Sequence, residues 1–183
     1  MVGDYAFVAA GANGLVVVNT SDPKLPEIIA RLDTDGVSTA VQVAQKPGSD
    51  PEQWLAYLSD GPAGLVVVDV SDPKSPFKIG ALGLGGPAGR ILFTDREYLF
   101  VVVDQREVAV ISVADARNPT QVDRITGLPA AYGTAVVAGS IAYIAAGPAG
   151  AFLYDVSYPL EIQKLPYVEQ PDNQWIENVA IAV

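Results

Sequence analysis

A ten-residue segment returns along this chain, and that recurrence constrains the fold more than any other feature. Gly14-Leu15-Val16-Val17-Val18-Asn19-Thr20-Ser21-Asp22-Pro23 reappears as Gly64-Leu65-Val66-Val67-Val68-Asp69-Val70-Ser71-Asp72-Pro73. A degraded copy runs Glu107-Val108-Ala109-Val110-Ile111-Ser112-Val113-Ala114-Asp115, and a fourth reads Gly150-Ala151-Phe152-Leu153-Tyr154-Asp155-Val156-Ser157-Tyr158-Pro159. Fifty residues separate Gly14 from Gly64, and 43 separate Gly64 from Glu107 and Glu107 from Gly150. The longer first interval fits an insertion around Lys46-Pro47-Gly48-Ser49-Asp50-Pro51-Glu52, which has loop composition. A period of this size marks a repeat architecture, in which each unit buries its apolar face against its neighbours.

Each unit holds four strand-like runs. In the second they are Val37–Gln45, Gln53–Ser59, Gly64–Val70 and Phe77–Leu82, bounded by Gly, Pro and Asp clusters. The third run is apolar at consecutive positions, which requires cover on both faces, as when a strand lies between stacked sheets. Four strands in about 43 residues describe the blade of a β-propeller. The turn chemistry agrees. Asp60-Gly61-Pro62-Ala63-Gly64 and Gly147-Pro148-Ala149-Gly150 join second to third runs, with glycine free to take positive φ. Ser71-Asp72-Pro73-Lys74-Ser75-Pro76 follows the third run; its Ser and Asp can bond local backbone while the prolines end the ladder.

The copies Leu15-Val16-Val17-Val18 and Leu65-Val66-Val67-Val68-Asp69-Val70-Ser71-Asp72-Pro73, each preceded by a strand such as Tyr5-Ala6-Phe7-Val8-Ala9, resemble LVIVD repeats. Ile141-Ala142-Tyr143-Ile144-Ala145 matches that preceding strand. The resemblance extends over essentially the whole chain. It implies a propeller, commonly in a bacterial or archaeal protein that is exported or cell-surface, and it carries no catalytic residues across. The third copy departs most, with Asp104-Gln105-Arg106-Glu107 in place of the glycine turn and Ala114 in place of the serine.

The expected fold is therefore all-β, a propeller or propeller arc of four blades with four antiparallel strands each, in a single repeat domain over residues 1–183. The blades fall at about 1–36 with 174–183, 37–86, 87–129 and 130–173. In this reading Ile176–Val183 supplies the inner strand of the first blade. Three assemblies fit: a closed four-bladed ring, two chains combined into an eight-bladed dimer, or part of a larger parent chain.

Composition narrows function by exclusion. The chain has no cysteine and no histidine, which removes disulfides, thiol catalysis, zinc-thiolate sites and every Ser-His-Asp triad. Twenty-one acidic against 11 basic residues give a net charge of −10, a surface that repels nucleic acid and anionic lipid. No window has the length and apolarity of a membrane span, and Met1-Val2-Gly3-Asp4 lacks the basic start of a signal peptide. No cofactor and no metal is implied.

Propeller ligands commonly sit over the central channel, against loops entering the inner strands and turns between strands two and three. The repeat register puts Asp33, Asp35, Arg90, Tyr132, Asp172, Asn173, Trp175 and Glu177 in or beside the first set, and Asp60 and Gln105 in the second. The candidate ligand-binding residues are Asp35, Asp60, Arg90, Tyr132, Trp175 and Glu177; no catalytic residue is assigned. Trp175 and Tyr132 could stack on a ligand or pack at a blade junction. Arg90 could grip a carboxylate or neutralise acidic neighbours. Asp33-Thr34-Asp35-Gly36 opens like a calcium loop but lacks the later ligands and closing Glu. Asn19-Thr20-Ser21 matches a glycosylation acceptor, yet its position repeats that of Asp69 and reads as turn chemistry. The expected role is a non-catalytic binding or scaffold module whose partner, a protein or a glycan, meets the channel mouth. A glycan-cleaving enzyme working through Asp35, Glu177 and Asp172, and a purely architectural array, are the alternatives.

Overall fold

A computed structural model describes residues 3–46, 52–93, 98–129, 135–138 and 140–166. The secondary structure is all β: β1 (Tyr5–Ala9), β2 (Leu15–Asn19), β3 (Glu27–Leu32), β4 (Ala40–Gln45), β5 (Trp54–Ser59), β6 (Leu65–Asp69), β7 (Phe77–Leu82), β8 (Ala88–Phe93), β9 (Tyr98–Val103), β10 (Glu107–Ser112), β11 (Thr120–Ile125), β12 (Ala135–Ala138), β13 (Ile141–Ala145), β14 (Ala151–Asp155) and β15 (Gln163–Lys164). They form four sheets in chain order, β1-β2-β3, β4-β5-β6-β7, β8-β9-β10-β11 and β12-β13-β14-β15. The first sheet has three strands among the described residues; the segment 174–183 expected to complete it lies outside them. No helix among the described residues is long and apolar enough to cross a membrane.

The described chain gathers into two compact units, Met1–Ile91 with Asp115–Pro119, and Leu92–Ala114 with Thr120–Val183. In the first, Tyr5, Phe7, Leu15, Val17, Ile29 and Leu32 cluster with Ala56, Leu58, Val66, Val68 and Val70. In the second, Tyr98, Phe100, Val102, Val108, Val110 and Ile125 cluster with Ala142, Ile144, Phe152, Tyr154 and Val156. Strand alternation explains both sets, since residues two apart share a face. Every residue of β6 is buried, as the unbroken apolar run requires. A fully buried Leu58 or Leu65 contributes about 2 kcal/mol of hydrophobic stabilisation.

Three outer strands carry an irregularity that alternation alone does not reveal. The register shifts between Val17 and Val18, between Val67 and Val68, and between Val110 and Ile111. Each shift leaves one extra residue on the outer strand, namely Ile29, Ile79 and Val122. Such a bulge bends the strand and increases its twist. Ile29 and Val122 pack against the two core clusters, so the extra residue is used to extend the core.

The turns after the third strands are near copies of one another. Asn19, Asp69 and Asp155 each accept the backbone N–H two residues on, from Ser21, Ser71 and Ser157 at 2.9–3.0 Å. Asp22, Asp72 and Asp115 do the same for Lys24, Lys74 and Arg117. These aspartates are structural, as their place in the repeat indicated.

Candidate functional site

At the other end of each blade, the second and third strands meet in a turn. In the second blade this turn is Asp60–Gly64, closed by Asp60 N–H donating to Gly64 O at 2.8 Å and Gly64 N–H to Gly61 O at 3.0 Å. Gly61 and Gly64 have φ of +54° and +86°. A Cβ on Gly64 would lie 2.3 Å from the Leu82 carbonyl, so the glycine is demanded by space as well as by φ. The third copy solves the same turn differently. Asp104 and Gln105 take φ of +48° and +54°, and Arg106 N–H returns to Val103 O at 3.1 Å, the pattern of a type I′ turn.

The turns also stitch one repeat to the next. Gly11 and Ser38 exchange both backbone hydrogen bonds at 2.9 Å, and Ala88 N–H donates to Gly61 O at 2.8 Å. Thr39 N–H donates to Ser59 O at 2.8 Å. The segment 33–38 leading into β4 is thereby pinned from two blades.

Asp60 holds that segment from beneath. Its carboxylate is fully buried. Oδ1 accepts from the Thr34 and Ser38 hydroxyls, both at 2.7 Å, and Oδ2 accepts from the Gly36 N–H at 2.9 Å. The two hydroxyls are 3.2 Å apart. Gly36 passes so close that a Cβ there would lie 2.0 Å from the Asp60 carbonyl oxygen. The result is a buried anion held by three neutral donors, with a rigid loop folded over it.

What this loop presents outward is acidic with one apolar group. Asp33 is exposed, its Oδ1 accepting the Thr34 N–H at 3.0 Å. The Asp35 side chain is 80% exposed and its Oδ2 pairs with Lys78 Nζ at 2.9 Å, while Val37 is 48% exposed. Arg90 lies exposed on β8, and Gln105 is exposed on its type I′ turn. Among the described residues no three acidic side chains form a group able to hold a metal ion. Tyr132, Asp172, Asn173, Trp175 and Glu177 lie outside the described residues. The structure thus brings Asp60 and the loop of Asp35 together. Thr34, Gly36 and Ser38, which complete the cluster, escaped the sequence reading. The available signal was a departure in register: Asp60 stands where the other copies have Ala10, Val103 and Ala146, and Thr34 and Ser38 match Leu84 and Ala88.

Among the described residues, the carboxyls displaced from their ordinary pKa lie at the opposite end, in the base turns. Burial pushes Asp69 upward, but hydrogen bonds from Ser71 and Gln53 and the nearby Arg117 charge outweigh it and hold the group below its usual value. Asp115, bonded by Asn118 and Arg117, and Asp155, bonded by Ser157, are also lowered. Burial raises Tyr154 within the second core cluster.

The model of the LVIVD repeat family matches residues 1–34 and 55–81. Among solved structures, BamB from Moraxella catarrhalis superposes with a TM-score of 0.59 at 12% identity, covering 89% of this chain and 46% of that one. Apo AztD from Citrobacter koseri superposes with a TM-score of 0.60 at 14% identity, covering 96% of this chain and 46% of that one. Both neighbours are β-propellers, and the chain spans under half the length of each. No curated protein sequence matches the chain.

Proposed function

We propose that this chain, an LVIVD-repeat protein of β-propeller fold, is a non-catalytic binding or scaffold module within an exported or cell-surface protein, meeting its ligand at the mouth end of the blades. The observation that carries the reading is the loop 33–38. Its backbone is fixed by the Gly11–Ser38 bridge and by the three hydrogen bonds to Asp60, while Asp33, Asp35 and Val37 face outward. A loop ordered before binding loses little entropy on contact, so few side chains suffice for recognition. In this reading Asp60 is the positioning residue, and Asp35 touches the ligand with Arg90, Tyr132, Trp175 and Glu177 as further contacts. The LVIVD repeats support the exported setting, and the greater length of both structural neighbours is consistent with a larger assembly.

The test is to probe glycan and peptide arrays with the folded chain, then measure any hit by titration calorimetry. Saturable binding that is lost in Asp35→Ala and Val37→Asp variants of unchanged circular dichroism is the expected result. Absence of saturable binding on both arrays would overturn the reading and leave an architectural array.

A further inference from the structure

The turn between β1 and β2 carries a chemistry that its counterparts lack. It runs Ala10-Gly11-Ala12-Asn13-Gly14, in register with Asp60-Gly61-Pro62-Ala63-Gly64 and Ala146-Gly147-Pro148-Ala149-Gly150. All three follow one backbone course. The first glycine has φ of +62°, +54° and +58°, and the last has +63°, +86° and +87°. The N–H of the last glycine donates to the carbonyl of the first at 3.1, 3.0 and 3.2 Å. This turn needs its glycines but not its asparagine, because Ala63 and Ala149 hold the position of Asn13. Of the five asparagines in the chain, Asn13 alone precedes a glycine.

Three features leave the Asn13 amide open to attack by the next backbone nitrogen. The residue is exposed, and its Nδ2 donates to Ala10 O only at 3.5 Å, the outer limit of a hydrogen bond. Gly14 has no Cβ to crowd its nitrogen, and none fits there, since it would lie 2.3 Å from Leu32 O and 2.9 Å from Thr34 N. Ala12 stands where the companion turns have proline, whose ring fixes φ at about −65° and stiffens the chain. Nearby residues of the same chemistry lack this combination. Asn19 is half-buried, its Oδ1 accepts the Ser21 N–H at 3.0 Å, and the β-branched Thr20 follows it. Asp35 does precede a glycine, but the Gly36 N–H is held by Asp60 Oδ2 at 2.9 Å.

We propose that Asn13 is a site of intramolecular deamidation in the folded protein, and that the modification is felt in the loop 33–38. The Gly14 nitrogen bonds to Asn13 Cγ, the Cγ–Nδ2 bond breaks, and the proton lost from Gly14 leaves with the departing ammonia by way of solvent. One water then opens the resulting five-membered imide at either carbonyl. The product is aspartate, or isoaspartate with the main chain rerouted through Cγ; in sum, one water enters and one ammonia leaves. Both products add a carboxylate to the turn, and isoaspartate lengthens the backbone by one methylene just before Gly14. Gly14 lies against Leu32 and Thr34, and Gly11 is bridged to Ser38, so the turn touches both ends of the loop that carries Asp33 and Asp35. The reaction itself is independent of ligand binding at the mouth.

The test is to age the folded chain at mildly alkaline pH in heavy-oxygen water and to sequence its tryptic peptides by mass spectrometry, with a urea-unfolded sample alongside. Asn13 is expected to convert in the folded chain to a mixture of isoaspartate and aspartate carrying the heavy oxygen, while Asn19 in the same peptide stays intact. Asn13→Ala abolishes the change, and Ala12→Pro, which installs the residue of the companion turns, slows it severalfold. Amide hydrogen exchange at Gly36 is expected to be faster in the isoaspartyl fraction. Conversion in the unfolded chain alone would overturn the proposal, because the turn would then shield Asn13. Conversion of Asn13 no faster than that of Asn19, a rate indifferent to Ala12→Pro, or unchanged exchange at Gly36 would overturn it too.

Discussion

Replacing Asp60 by alanine removes one acceptor group and strands three donors at once. The Thr34 and Ser38 hydroxyls and the Gly36 N–H all lose their partner in a buried site. Hydrogen bonds to a charged group are worth about 1.5–3 kcal/mol each, so a simple total approaches roughly 6 kcal/mol. Two effects reduce it. The hydroxyls stand 3.2 Å apart and can bond each other. Loss of the carboxylate also lifts the desolvation of a buried charge. The net cost expected for Asp60→Ala is about 3 kcal/mol. With a urea slope of about 2 kcal/mol/M, the unfolding midpoint falls by about 1.5 M. The informative companion is Thr34→Leu, Ser38→Ala and Asp60→Val together. It installs the residues that the third copy carries in the same register, Leu84, Ala88 and Val103, each buried there. Exchanging a whole buried polar cluster for apolar groups is often neutral, so this triple variant is expected within about 1 kcal/mol of the parent. Urea titrations followed by tryptophan fluorescence measure both. An Asp60→Ala protein within about 1 kcal/mol of the parent, or a triple variant no more stable than the single, would refute the reasoning.

Three further outcomes are expected. The Ser59 hydroxyl is buried without a hydrogen-bond partner, at a register position occupied elsewhere by Ala9, Val102 and Ala145, so Ser59→Ala raises stability by about 1 kcal/mol in the same titration; a loss of stability would show that the hydroxyl is satisfied. Gln105→Gly relieves a side chain held at φ +54° and stabilises the protein by about 1 kcal/mol, read as a rise in melting temperature. Asp69 has its folded pKa below the ordinary 3.8, so its contribution to stability is complete above that value and is lost as pH falls through the lower one. Asp69→Asn is therefore expected to flatten the stability profile below about pH 4, and an unchanged acid limb would exclude the role.

The blades were legible because their signals are local. The expected run Gly64–Val70 contains β6, Gln53–Ser59 contains β5, and Phe77–Leu82 coincides with β7. Glycine turns and aspartate base turns are likewise decided within a few residues. The inner strand was placed three residues early, at Val37 instead of Ala40, because Ser38 is drawn into a bridge with Gly11 of the preceding blade. The bulges at Ile29, Ile79 and Val122 were missed for a similar reason. An extra apolar residue in a short apolar strand leaves no mark until its partner strand is known. The candidate site was legible only in outline. Asp60 and Asp35 could be put on the same end of a blade from the repeat register, but the clasp joins residues 22 to 26 positions apart and depends on folded geometry.

Repeat proteins run a hazard that other folds escape, because near-identical strands can pair with the wrong neighbour and still satisfy every ladder bond. LVVVN and LVVVD are almost interchangeable in this respect. The buried carboxylate of Asp60 distinguishes them. Docked beneath the loop that offers Leu84 and Ala88, the same turn would bury a carboxylate with none of the hydroxyl donors that Thr34 and Ser38 supply. Of these two described loops, only the one carrying Thr34 and Ser38 accepts it. A polar cluster worth little more than an apolar replacement thus gives the second blade an address, and makes docking of its turn beneath the Leu84 loop costly by several times the thermal energy.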